Sequence, residues 1–528
     1  MAHLRTAVAS RENLIVIANR HVELAFDAVR NGALAYIVDS TTNYSFRQDQ
    51  NAPSLLYRLA LRRSSDKCIE WIENTQANSF CWSHARADEG ETLTLESKGF
   101  PDRPTLRVQV SITLPDDSAF SRWRSHVTGV HDAAVYQVTC PVITGLFHLG
   151  DPYPIESLAV PRHGEGYLFR YPFPVRDRLP LCAGTGPDVA DVGVGEIHGL
   201  YPGQHSMQLL LYLNETAGLY LATHNATQHV KSFDVAPDPA GSLHPALSIS
   251  HFPVERYKQD AASPYDTVIG VFHGDWYDGA DIYRTWATQQ WWCERKLRDR
   301  EIPSWMRTGF AVFQSSNYHL PKLNLNHSLL EIIDTVNALA AESGVPIAAL
   351  IFNWEHYGGW TGPVGLFPPR EGEQVFRQAM QKLHDAGNLG FVYIPGGQWY
   401  LRIASYPFDS WAEFELTGRP VAVKNAHGQV DIGRWYEGWE GARLCAHTPE
   451  VRNLTRSMLL QCLELGCKIV QIDNFPICGA EACYDPSHGH PAGYGPWWSE
   501  AWATLLKEVR HAAKSFDPDC AITTEVIR

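Results

Sequence analysis

The sequence is short of positive charge. Its 528 residues hold 44 Lys and Arg against 58 Asp and Glu, a net charge of −14 with histidine neutral. That balance argues against a partner whose phosphates must be neutralised, so no nucleic acid is expected. No run approaches the roughly 20 apolar residues needed to cross a bilayer. The opening stretch, MAHLRTAVASRENLIVIANR, also lacks the long apolar core of a signal peptide. No membrane partner is expected, and a cytoplasmic location is. The 11 cysteines are odd in number and follow no repeating spacing, which speaks against a disulfide framework. No GxGxxG or P-loop glycine pattern opens a helix, weakening nucleotide binding, and no GxSxG elbow supports a serine hydrolase. Tryptophan is scarce in one half only: of 17, just Trp71, Trp82 and Trp123 precede residue 270.

What is present divides accordingly. Hydrophobic residues make up 45% and aromatics 11%, enough to bury a core and exclude a disordered chain. From Asn13 to His273 the pattern is of short alternating strands. VELAFDAVRNGALAYIVDSTT reads as a hairpin about Asn31-Gly32. TLRVQVSITL, AAVYQVTCPVI, SMQLLLYLNE and GLYLATHN continue the period of two. An antiparallel β-sandwich over 1–273 is the expectation, without a helix of ordinary length. At 274–303 the period becomes helical, with Tyr283, Trp286, Ala287 and Trp291 on one apolar face, marking a helical junction. Over 304–528 strands and helices alternate. FAVFQ, IAALIFNW, LGFVYI, KIVQID and AITTE are the strands, and the helices carry clear punctuation: a Ser328…Glu331 capping box, and Thr448-Pro449 before a run closed by Gly466. Such alternation predicts a parallel sheet with right-handed crossovers. Polar and aromatic residues after each strand favour a (β/α)8-type barrel. Only about five strands fit, so the barrel is expected to be incomplete and truncated at its C-terminal end.

Asp473 ends KIVQID, where apolar residues place one carboxylate at the barrel mouth, and Glu525 ends the next strand. Neighbouring strands lie about 4.8 Å apart, so the two acids can face one cavity. Retaining glycosidases need a carboxyl pair at about 5–5.5 Å. Trp354, Glu355, His356, Trp360 and Trp399 surround the same mouth, with Trp435 and Trp439 nearby; indoles beside carboxylates suit sugar rings. Trp286, Trp291 and Trp502, on helices, read as core. Cys478-x4-Cys483-x4-His488-x-His490 offers four zinc-type ligands. Its spacing is not that of a compact knuckle and it directly follows Asp473, so His488 and His490, with Asn474, are read as sugar contacts and no metal is expected.

GDWYDGADIYRTW, NWEHYGGW…FPPREG, LHDAGNLGFVYIPGGQW and IVQIDN, in that order, resemble the α-galactosidase-like glycoside hydrolases, a group that includes relatives of endo-α-N-acetylgalactosaminidases. The resemblance covers most of the chain from about residue 270 and matches an uncharacterised branch. It implies a sandwich before a barrel, a retaining mechanism with Asp473 as nucleophile and Glu525 as acid/base, and no metal or organic cofactor. The expected activity is hydrolysis of an α-linked, galactoside-like sugar. Two rivals are a non-catalytic or inactive carbohydrate-binding relative, and sugar epimerisation within the sandwich, for which no His and Glu pair stands out.

Overall fold

A computed structural model describes residues 5–47, 54–146, 157–161, 166–170, 197–237, 245–315, 327–357, 361–403, 407–435, 438–473 and 479–524. Up to Phe272 the described chain is built from antiparallel strands arranged in a five-stranded, a ten-stranded and a six-stranded sheet. The predicted hairpin forms: Val22–Asp27 pairs with Ala33–Asp39, and both Asn31 (φ 53°) and Gly32 (φ 78°) take the left-handed turn conformation. Alternating residues of all three sheets, among them Ile17, Leu59, Val110, Trp123 and Leu219, meet in one buried cluster. Among the described residues no α-helix precedes Trp276.

One cation lies inside this cluster's surroundings. Lys231 is fully buried, its ammonium 2.9 Å from Gln208 Oε1 and over the faces of Tyr201 and Tyr265 at 4.9 and 4.7 Å. Ring faces and one amide oxygen favour the charge, but loss of water outweighs them and holds Lys231 well below the usual lysine range. Unfolding restores the ordinary value, so the unfolded chain binds the extra proton and stability rises with pH towards about 10.4. Lys231→Met is expected to stabilise the chain by about 1–3 kcal/mol. It should also flatten that rise, as read by urea melts across pH.

The junction helix spans Trp276–Ala287, capped by Asp275, and seats Tyr283 against Leu211, Tyr220 and Phe272 of the ten-stranded sheet. It stops short of Trp291. That residue was expected on the buried face but is 56% exposed, its indole N–H donating to the Ala226 carbonyl.

All five predicted parallel strands form: Ala311–Ser315, Ile347–Ile351, Leu389–Pro395, Ile469–Asp473 and Ala521–Thr524, side by side in chain order. Helices Leu329–Ser343, Glu373–Asp385, Pro449–Glu464 and Trp497–Phe516 connect them. The Ser328 capping box is made, and Gly344 ends that helix in the left-handed region. Thr448 stands at its expected cap position, but its hydroxyl donates to the Cys445 carbonyl instead of accepting from the helix. One sheet face, including Ile351, Val392 and Ile472, packs on the helices around Leu463 and Leu505. The other carries Leu350, Phe391, Tyr393 and Ile469. The stretch after the third strand, where no element is predicted from the sequence, folds an antiparallel four-stranded sheet from Gln398–Ile403, Phe408–Asp409, Ile432–Trp435 and Trp439–Arg443. The described residues thus hold a five-stranded parallel sheet and no closed barrel.

Candidate functional site

Asp473 is the last residue of the fourth parallel strand, in register with Pro395 of the third. Alternation puts it on the same sheet face as Ile469 and Gln471, away from the helices. It is buried, and so is Glu355, four residues beyond the second strand. Asn353 makes the turn that leads there, with φ at 58°. Between them stands Tyr393, a residue the sequence reading passed over. Burial first, then the negative fields of Glu355 and Asp473, push its phenol well above the usual tyrosine range. Tyr393 therefore stays a neutral hydroxyl beside two carboxyl groups, able to donate where charge accumulates. Its only sequence signal is its place in LGFVYI, two residues before the strand end on the Asp473 face.

The expected aromatic walls behave differently. Trp354 is wholly buried, set against Phe367 and Phe376 at ring distances of 5.4 and 5.6 Å, and its indole N–H donates to the Tyr393 carbonyl at 3.1 Å. Trp399 is 4% exposed among Leu401, Phe414 and Val421, its N–H held by Ser410 Oγ at 3.0 Å. Both expectations of a sugar wall are corrected: each indole spends its one donor inside the protein and is buried among apolar neighbours. Trp399→Phe is accordingly expected to lower stability by about 1–3 kcal/mol and to leave the KM for any sugar substrate within about twofold of the parent. Trp502, read as core, is core. His356 is exposed and lies edge-on to Tyr357. Trp360, Asn474 and Glu525 fall outside the described residues, as do Cys478 and the Trp435 side chain. The residue before Glu525 in the chain, Thr524, pairs with Ile472, the residue before Asp473.

His488 and His490 do not take the setting foreseen for them. Both are buried, and together with Cys483 and Cys445 their donor atoms all lie within 4.8 Å of one another. Cys445 comes from between strand Trp439–Arg443 and helix Pro449–Glu464, far from Cys483 in the chain. No local spacing announces it. The Cys483 thiol is drawn well below its usual range, first by its hydrogen bond with Cys445 and further by His488 and His490. Two thiols and two imidazoles turned on one another are a metal-type donor set, not a surface for sugar hydroxyls. The reading of these histidines as sugar contacts, and the expectation of no metal, are revised on that ground.

The loop bearing these residues also leans on the N-terminal sheets. Tyr484, Arg62 and Glu255 form a closed set: Arg62 donates to Glu255 at 2.8 Å and to the Tyr484 hydroxyl at 2.9 Å, and Tyr484 donates to Glu255. Gly203 approaches so closely that a side-chain carbon there would fall 2.0 Å from Gly479 Cα. Beside it, the Ala480 N–H donates to the Pro202 carbonyl at 3.1 Å.

A family model described as "Domain of unknown function (DUF6259)" matches residues 261–528, just over half of the chain. The chain is 21% identical over 424 residues to a protein of Bacteroides thetaiotaomicron named "Putative glycoside hydrolase", covering 80% of this chain and 56% of that protein. To "Putative glycoside hydrolase 22789" of Monosiga brevicollis it is 22% identical over 329 residues, covering 56% and 26%. It therefore spans about half of the first relative and about a quarter of the second. Among solved structures, the α-N-acetylgalactosaminidase NagBb from Bifidobacterium bifidum, in its Gal-NHAc-DNJ complex, matches with a TM-score of 0.67 at 14% identity over 97% of this chain and 76% of that one. Its GalNAc complex gives 0.65 at 13% identity with the same coverage. At such identity the likeness is one of fold.

Proposed function

For a chain that belongs to the DUF6259 family, we propose a role as the core of a retaining glycoside hydrolase that cleaves an α-linked, galactoside-like sugar. The observation that carries this reading is Asp473, buried at the carboxyl end of the fourth parallel strand, whose negative field acts with that of Glu355 on Tyr393. Parallel strands adjacent in chain order are how a (β/α)8 barrel begins, and the strand ends are where such barrels build their sites. Residues 304–528 would supply that barrel, 274–303 the junction and 1–273 the sandwich. The names of the curated relatives and the fold match with a GalNAc-binding enzyme support a carbohydrate substrate.

In this reading a carboxylate oxygen of Asp473 attacks the anomeric carbon as the bond to the leaving oxygen breaks, and Glu525 gives that oxygen its proton. Water then attacks the same carbon, its proton passing to Glu525, and the ester to Asp473 opens. Tyr393, held neutral, would donate a hydrogen bond towards the charge on Asp473 or the sugar ring. The test is mass spectrometry after incubation with 2-fluoro α-glycosides. A peptide adduct on Asp473 is expected; turnover with no adduct there, kept in Asp473→Asn, would overturn the assignment.

A further inference from the structure

We propose that Cys445, Cys483, His488 and His490 bind one zinc ion in a closed tetrahedral site that fixes the loop following Asp473. Zinc takes thiolate at about 2.3 Å and imidazole nitrogen at about 2.0–2.1 Å, which makes each sulfur-to-nitrogen edge of the tetrahedron about 3.5 Å. Both measured edges agree: Cys445 Sγ to His490 Nε2 and Cys483 Sγ to His488 Nδ1 are each 3.4 Å. All four residues are buried, so the donors lack the water that would otherwise satisfy them.

The imidazoles are oriented as metal ligands are. Each turns one ring nitrogen to a thiol and gives the other to a backbone carbonyl, His488 Nε2 to Pro420 at 2.9 Å and His490 Nδ1 to Pro491 at 2.8 Å. Those outer bonds place the N–H outside and leave a lone pair pointing inward, the tautomer a metal requires. His490 is further clamped by Trp497, whose ring lies parallel at 3.7 Å. The backbone serves the same end. Cys483 and Gly493 pair through both N–H groups, closing the loop at its neck. Gly489, with φ 78°, reverses the chain between the two histidines. A Cys445–Cys483 disulfide would account for neither inward nitrogen. Two sulfurs with two nitrogens select zinc among common divalent ions, and four protein ligands make the role structural. The thiols release their protons to solvent as the ion binds.

The test is metal counting on the reduced 528-residue chain after exposure to zinc and removal of loose ion. About one zinc per chain is expected, falling to roughly a tenth or less in the double variant Cys445→Ser, Cys483→Ser. Because losing two buried thiols can unfold the chain, His490→Cys provides a second reading. It keeps four donors, so zinc stays near one per chain, and in the cobalt-loaded protein thiolate-to-metal absorption rises by about half as three thiolates replace two. Substoichiometric zinc in the parent, a disulfide between Cys445 and Cys483 in the freshly reduced and gel-filtered chain, or cobalt spectra without thiolate bands would each overturn the site. No sugar enters the measurement, so it can succeed where hydrolysis fails, and the reverse.

Discussion

Asp473→Asn should abolish hydrolysis of aryl α-glycosides, by roughly 10³-fold or more in kcat, while leaving the fold intact. The substitution preserves shape at a buried strand end and removes only the charge that would attack carbon. A neutral amide in place of a buried carboxylate removes the cost of keeping a charge from water, so the melting midpoint should hold or rise slightly. Kinetics on a good leaving group, with circular dichroism as the control, decides the matter. Activity within tenfold of the parent would move the nucleophile elsewhere. A collapse of stability in step with activity would make Asp473 a structural residue.

The largest stability effect is expected at Trp354. Truncation to alanine removes a fully buried indole from between Phe367 and Phe376 and leaves the Tyr393 carbonyl without its 3.1 Å donor. Cavity and lost hydrogen bond together should cost about 3–5 kcal/mol. Trp354→Phe, which refills most of the space, should cost about half as much. Urea melts measure both. Near-parental stability with a large loss of sugar affinity would restore Trp354 to the wall of the cleft. Because the indole grips the third parallel strand two residues before Pro395, partial unfolding here should also loosen the register that sets Asp473.

Residue pattern made some of this legible and not the rest. The five parallel strands were readable because each is a short apolar run set off by helical periodicity and by punctuation such as Gly344, Gly387 and Gly466, and the Asn31-Gly32 hairpin because its turn needs left-handed residues. The sheet over 398–443 was not: QWYLRI is buried on both faces apart from Arg402, so it has no alternation, and its partners are short and rich in glycine and charge. Trp354 and Trp399 misled because sequence shows that an indole sits after a strand but not whether it folds inward. The metal-type cluster was half visible. Cys483, His488 and His490 share one loop, but their fourth member reaches them only through the tertiary fold, and Cys478 took its place in the reading.

Arg62, Gly203 and Glu255, which brace the loop after Asp473, all precede residue 261, where the match to the family begins. A piece cut at that residue would keep Asp473 and all four thiol and imidazole ligands yet lose the surface on which their loop rests. Synthesis runs in the opposite sense: the antiparallel sheets leave the ribosome before the loop exists, and early segments fold first. The surface on which the loop rests is thus complete in the growing chain before the loop is made.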